Sequence, residues 1–222
     1  MKNKKSLVWL GVATLLVAVL IAVGTLWRVE HVAVGKASGE FTLTCDFDKF
    51  RQIMVRKDAT NAVVDHAGMR LISQKIVDID IDASADERPL LNAIRGRSQS
   101  TLAAEKILVV QLNDPEIQSG ELVLRQLADI QPTRIQVETE SQAPAGQVDH
   151  YITRLQAAAN GPETTLTLAT EMRIRLRVPL LFKRHADRRV QQSCERGLAE
   201  QGEAINQFIR RYADERVILP DV

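Results

Sequence analysis

Two cysteines in 222 residues are too few for a disulfide scaffold or a cysteine-type zinc site, and the four histidines, His31, His66, His150 and His185, are scattered. No HExxH pair, GxSxG elbow, P-loop or GxGxxG run occurs, so no catalytic set, metal or cofactor is expected. Aromatic residues make up 4% of the chain, with two Tyr and five Phe, a thin supply for stacking bases. A basic excess is missing as well. Three of the 29 Lys+Arg stand in the first five residues, leaving residues 6–222 with a net charge of −2. Nucleic acid is disfavoured as a partner, because a phosphate backbone calls for a cationic surface.

What the chain does have is one long run without a charge, Ser6 to Trp27, SLVWLGVATLLVAVLIAVGTLW. As a helix it reaches roughly 33 Å, against about 30 Å of bilayer hydrocarbon. Lys2, Lys4 and Lys5 precede it, while Arg28, Glu30, His31 and Lys36 follow with weaker net charge. The N-terminus is therefore expected inside and the rest exported, with Trp9 and Trp27 near the two interfaces. Ala22-Val23-Gly24 has the small-x-small look of a signal-peptide cleavage site, which is the competing reading. The run exceeds the roughly 7 to 15 residues of a signal core, which favours a retained single-pass anchor. The expected division is a cytoplasmic N-terminus (1–5), a transmembrane signal-anchor (6–27), a juxtamembrane connector (28–39), one domain (40–212) and a tail (213–222). The domain is expected on the periplasmic or other extracytoplasmic side of the cytoplasmic membrane, with the lipid bilayer as a partner.

Within the domain, Glu40 to Cys45 alternates Phe41, Leu43 and Cys45 against two threonines, the period of a half-buried strand. Residues 29–38, with Gly35, Ser38 and nearby Gly39, give little reason for regular structure. Asp46 caps a helix over Phe47, Phe50, Ile53 and Met54, and Met69 to Asp82 is a β-branched strand. Residues 83–104 combine a candidate cap at Ser84 with a short helical pattern through Leu90, Leu91 and Ile94. Strand-like runs follow at 106–112, 121–130, 133–141, 148–158 and 164–179, separated by turn residues such as Asn160-Gly161-Pro162, which predicts an antiparallel meander. From Lys183 to Tyr212 the apolar spacing predicts a long amphipathic helix. Gly197 and Gly202 interrupt it at about 1 kcal/mol each relative to Ala. Close packing on the sheet and room for a ligand both explain them.

Strand, helix, meander and one long C-terminal helix define an α+β class, and this order resembles the START-like or SRPBCC superfamily, which includes polyketide cyclase-type proteins. The resemblance is carried best by TTLTLATEMRIRLRVPLLFKRHADRRVQQSCERGLAEQGEAINQFI. It implies a helix-grip domain, a curved antiparallel sheet around the last helix, with an apolar cavity between them that many members use for lipids or other hydrophobic molecules. Ile174, Leu176, Cys194, Gly197, Leu198 and Ile205 are the residues expected to line it.

Other patterns have weaker functional readings. Asp78, Asp80 and Asp82 share one strand face and fail the calcium-loop spacing, since Ala83 and Pro89 stand where Gly and Glu belong. Arg173, Arg175 and Arg177 share a face too, and the two sets would form a cross-strand ladder if their strands meet. Lys183, Arg184, Arg188 and Arg189 crowd a helix start, where cations oppose the dipole, so they are candidates for anionic lipid headgroups. Cys45 and Cys194 could meet as a disulfide across the core or remain two small buried hydrophobes. Asp149-His150 beside Tyr151 is set aside as an acid-base pair, because strand neighbours point to opposite faces. Few polar residues fall on predicted inward faces, which ranks an enzyme last. The expected function is a membrane-anchored extracytoplasmic module that binds a lipid or other hydrophobic small molecule, with no identified protein partner. The alternative is a cell-envelope interaction or structural module with a filled core.

Overall fold

The computed structural model describes residues 27–56, 60, 64, 69–87, 92, 99–112 and 120–213. The expected anchor lies outside them except for Trp27, as do the N-terminus and most of the tail. Among the described residues no helix is long and apolar enough to cross a membrane.

The domain starts earlier than the sequence pattern indicates. Strand β1 spans Arg28–Leu43 and pairs with the later strand along its whole length, so residues 29–38 are sheet and not a connector. From residue 33 to 39 the inward positions of β1 are Ala33, Gly35, Ala37 and Gly39, small where a helix lies directly upon them. Helix α1 (Phe47–Arg56) follows, with the Lys49 N–H donating to Asp46 Oδ1 at 2.9 Å as the cap requires. Phe47, Phe50 and Ile53 on its inner side are buried, each worth about 1.5–3 kcal/mol. Strands β2 (Met69–Asp82), β3 (Thr101–Leu112), β4 (Leu122–Ile130), β5 (Arg134–Ser141), β6 (Val148–Asn160) and β7 (Glu163–Pro179) form the meander. The expected helix at 84–94 falls largely outside the described residues. A single 3₁₀ turn, Leu180–Phe182, then leads into α2 (Lys183–Ala213).

The strands make one seven-stranded sheet in the order β1-β7-β6-β5-β4-β3-β2, every neighbouring pair antiparallel. Between β6 and β7 the turn needs Gly161, whose φ of +61° is left-handed. Helix α2 lies against β1 and β7 on one face, called inner here. A Cβ built on Gly35 would sit 2.6 Å from the Val190 carbonyl oxygen and 2.7 Å from Cys194 Sγ, so strand and helix meet nearly backbone to backbone. Gln191 completes the join. Its side-chain oxygen accepts from the Lys36 N–H at 3.0 Å and its amide donates to the Lys36 carbonyl at 2.7 Å, satisfying the free edge of β1 as another strand would.

The outer face is charged. Lys36 and Arg173 bracket Glu171, each at 2.8 Å, and hold its carboxyl below the usual carboxylate range. Arg175 pairs with Asp149, and Arg177 with Glu30 at 3.3 Å. The ladder between these arginines and Asp78, Asp80 and Asp82 does not form. Strands β7 and β2 stand five positions apart in the sheet, roughly 24 Å.

Candidate functional site

Register aligns the inner face into rows, one residue per strand. Toward the start of β1 a row runs through Gly35, Met172, Tyr151, Ser141, Leu124, Leu108 and Gln74. Toward its end another runs through Gly39, Leu168, Leu155, Val137, Ala128, Ala104 and Ile79. The row between them is different: Ala37, Thr170, Thr153, Thr139, Gln126, Lys106 and Ile76. A polar residue occupies five strands in succession, and this belt divides the apolar core into two clusters, with Ala37 packed against both.

The first cluster, near Trp27 and so termed proximal, contains Leu108, Val110, Leu122, Leu124, Val148, Met172 and Ile174 under Ala186, Val190 and Cys194 of α2. The distal cluster joins Leu43, Ile135, Leu155, Leu166 and Leu168 to α1 and to Leu198, Ile205 and Ile209. The two ends of β3 and β4 are not equivalent. Leu108, Val110, Leu122 and Leu124 are at most 1% exposed, whereas Leu102, Ala104, Ala128 and Ile130, past the belt, are only half-buried. Beside them Ile79 and Ile81 on β2 are 49% and 60% exposed. Helix α2 runs along β1 and β7 and not over this distal part of β2–β4, where Ile130 packs against the edge of the distal cluster.

Within the belt, Gln126 Nε2 donates to Thr139 Oγ1 at 3.2 Å, and Thr170 Oγ1 donates to the Ile152 carbonyl at 3.4 Å. The buried Tyr151 hydroxyl interacts with Thr170 and Thr153, and burial pushes its pKa well above the usual phenol value, so it stays a neutral donor. Lys106 is, among the described residues, the one Lys, Arg, Asp or Glu that register puts on the inner face of the strands. Its Nζ donates to Thr60 Oγ1 at 3.3 Å, and Val64 of the same segment packs on the proximal cluster. At the distal end, the buried Asp86 accepts from Asn92 and from the Gln99 N–H, with Arg51 of α1 as a cationic neighbour.

The expectation of few inward polar residues is thus corrected. On β4 the belt residue is a single polar break in the inward alternation Leu122, Leu124, Gln126, Ala128, Ile130, while β5 adds Ser141 and β7 adds Thr164 on the same face. The signal was present in the five strands β3 to β7, but only the strand register lines the breaks up.

The six residues expected to line a cavity separate. Ile174 and Cys194 belong to the proximal cluster with Leu176 packed against it, and Leu198 and Ile205 to the distal one. Gly197 joins neither: a Cβ there would meet nothing within 4 Å. The close approach belongs to Gly202, where a Cβ would lie 2.4 Å from the Phe41 ring. Cys45 and Cys194 are both free and sit in different clusters, Cys194 against Gly35, on the order of 30 Å of extended chain before Cys45. That separation rules out the disulfide. Burial raises both thiols, Cys194 to about 11.

Two further surfaces stand out. On the outer face an open hollow of about 550 Å³ is bordered by Asp78, Asp80, Glu105, Asp129, Glu138 and Arg154. Arg125 clasps Glu105 at 2.8 and 2.9 Å and Arg154 holds Glu138 at 2.7 Å. Among the described residues no group of acidic, His or Cys side chains has the arrangement to hold a metal. At the start of α2, Leu180, Leu181 and Phe182 are 52%, 62% and 48% exposed, next to the basic Lys183, Arg184, Arg188 and Arg189. The Leu180 N–H donates to the Trp27 carbonyl at 3.2 Å, so this corner adjoins the point where the expected anchor ends.

A seven-stranded antiparallel sheet in this strand order with a long C-terminal helix on its inner face is the expected helix-grip α+β arrangement. Among solved structures, the Zhui aromatase/cyclase from Streptomyces sp. R1128 is similar at 11% identity over 82% of this chain and 97% of that one, with a TM-score of 0.49. A START superfamily protein from Mycobacterium smegmatis matches at 15% identity, over 79% and 97%, with a TM-score of 0.47. A norcoclaurine synthase from Thalictrum flavum matches at 13%, over 85% and 99%, with a TM-score of 0.45. At these identities and scores the likeness carries neither a ligand nor a reaction to this chain. No family model and no curated protein sequence matches.

Proposed function

We propose that this chain is a membrane-tethered helix-grip domain that holds an apolar small molecule, lipids included, against the distal inner face of its sheet, on the exported side of the cytoplasmic membrane. The observation that carries the reading is the half-buried apolar strip on β3 and β4, bordered by the exposed Ile79 and Ile81 of β2 and floored partly by the small residues Ala104 and Ala128. Apolar surface of this kind, left partly exposed to solvent, favours an apolar occupant. The tether rests on the charge-free run 6–27 and on the corner beside Trp27, where exposed Leu180, Leu181 and Phe182 with four basic neighbours suit an anionic bilayer surface. Tethering raises the local concentration of the domain against bilayer lipid without tight binding.

Photolabelling tests the ligand reading. The full chain in bilayer nanodiscs, irradiated with a diazirine-bearing long-chain alcohol, is expected to carry adducts on peptides from β3, β4 and β5. Adducts confined to residues 6–27, with none on the sheet, would refute it. A reporter enzyme active only outside the cytoplasm, fused after Val222, tests the orientation; an inactive fusion would refute export.

A second reading has one observation of its own. Edge strand β2 exposes Ile72, Ile76, Val77, Ile79 and Ile81, an apolar edge that suits another chain. Cross-linking in intact cells that traps a protein through β2, with no adduct on the inner face, favours an envelope interaction module.

A further inference from the structure

Polar groups inside an apolar interior destabilise a fold unless they are partnered. Four members of the belt meet that condition within the protein: Gln126 with Thr139, and Thr170 and Thr153 with a carbonyl or the Tyr151 hydroxyl. Lys106 is a different case. Among the described residues its ammonium reaches one neutral hydroxyl, Thr60 Oγ1 at 3.3 Å, and no carboxylate shares the inner face of the strands with it. A half-buried ammonium there is stabilised by an anion beside it. On one side of Lys106 the floor is sealed by Leu108. On the other it is the open strip of Leu102 and Ala104.

Building on the reading that this strip holds a small molecule, we infer that the ligand is an amphiphile with an anionic end, a carboxylate or a phosphate, bound by Lys106 with Gln126 as a neighbouring amide. Its apolar part lies along the distal strip, away from Leu108. The belt then sets direction, since a chain inserted the other way would carry its charge past Leu102, Ala128 and Ile130 to an end where Arg51 already neighbours the buried Asp86, and would leave Lys106 against hydrocarbon. Selection by charge at one end and by apolar burial along the other gives preference for a class of ligand without a deep, shape-specific socket.

The experiment uses three photoactivatable probes of equal chain length on the full chain in nanodiscs: a hexadecanoic acid, the alkyl phosphate monoester and the alcohol. The readout is the concentration giving half-maximal adduct on peptides from β3–β5. At least one anionic probe is expected to label at about tenfold lower concentration than the alcohol, the scale of one charge-assisted hydrogen bond, and the better of the two identifies the headgroup chemistry. Lys106→Gln should abolish that gap and Lys106→Arg should keep it. Equal labelling by all three probes overturns the anionic end, and a gap that survives Lys106→Gln overturns Lys106 as the residue that binds it; both leave the ligand reading standing. Absence of sheet labelling by every probe overturns both. The wild-type comparison depends on no variant, so it decides the question whatever the stability of Lys106→Gln.

Discussion

Strands β3 and β4 are built alike and finished differently. On the side of Lys106 and Gln126 nearer Trp27, four leucines and valines are sealed under Val64 and the start of α2; on the other, Leu102, Ala104, Ala128 and Ile130 stay half-buried. The same alternation that makes a strand amphipathic thus builds a sealed core at one end and a half-buried apolar surface at the other. What separates them is a belt of hydroxyls, an amide and an ammonium, one residue wide. The core of this domain is accordingly two clusters with a polar seam.

Truncations sharpen that contrast most. Leu124→Ala on the sealed side should lower stability by about 3 kcal/mol, because it leaves a cavity, whereas Leu102→Ala should cost about 1 kcal/mol or less. Urea unfolding of the full chain in detergent, followed by circular dichroism, measures both; equal losses would mean that the two ends are packed alike. The next effect concerns the helix that seals the proximal end. Gly35→Ala should cost about 2 kcal/mol, since its Cβ meets the Val190 backbone oxygen, which cannot swing aside. Gly202→Ala should cost less, because the Phe41 ring can shift and the helix gains from alanine. Gly197→Ala should instead stabilise by about 1 kcal/mol, having open space at that position.

The smallest effect is a pH dependence at the sealed end. The Cys194 thiol is raised from 9.0 to about 11, so the unfolded chain gives up its proton first. Its contribution is fully present below pH 9.0 and declines as pH climbs toward about 11. Wild type should therefore lose more stability than Cys194→Ala across that interval. The same burial predicts slow alkylation of Cys194 by iodoacetamide at pH 8 until the chain is unfolded.

Much of this framework could be read from residue order. The spacing predicted β2 at its observed limits, Met69–Asp82, and placed the last helix at 183–212 against 183–213. Local periodicity suffices where an element is long and its apolar face continuous. It failed at 29–38 for the reverse reason: Gly35 and Gly39 look like a connector in isolation, and their smallness makes sense only once α2 lies on them. The belt was hidden by the same limit. One threonine or glutamine in an apolar alternation is unremarkable in each strand, and its meaning comes from pairings between residues as far apart as Lys106 and Thr170. The arginine and aspartate triplets misled in the opposite direction, since matching patterns do not put two strands side by side.

In the proposed function the distal half of the inner face is a binding surface and the proximal half a plug. Methyl NMR of the full chain in nanodiscs, labelled at Ile, Leu and Val and titrated with hexadecanoate, reads both halves at once. The predicted result is movement of the Leu102, Ile130, Val137 and Ile79 signals while Leu108, Val110, Leu122 and Leu124 stay still. Movement confined to outer-face groups such as Leu127, or none in the sheet, would contradict it.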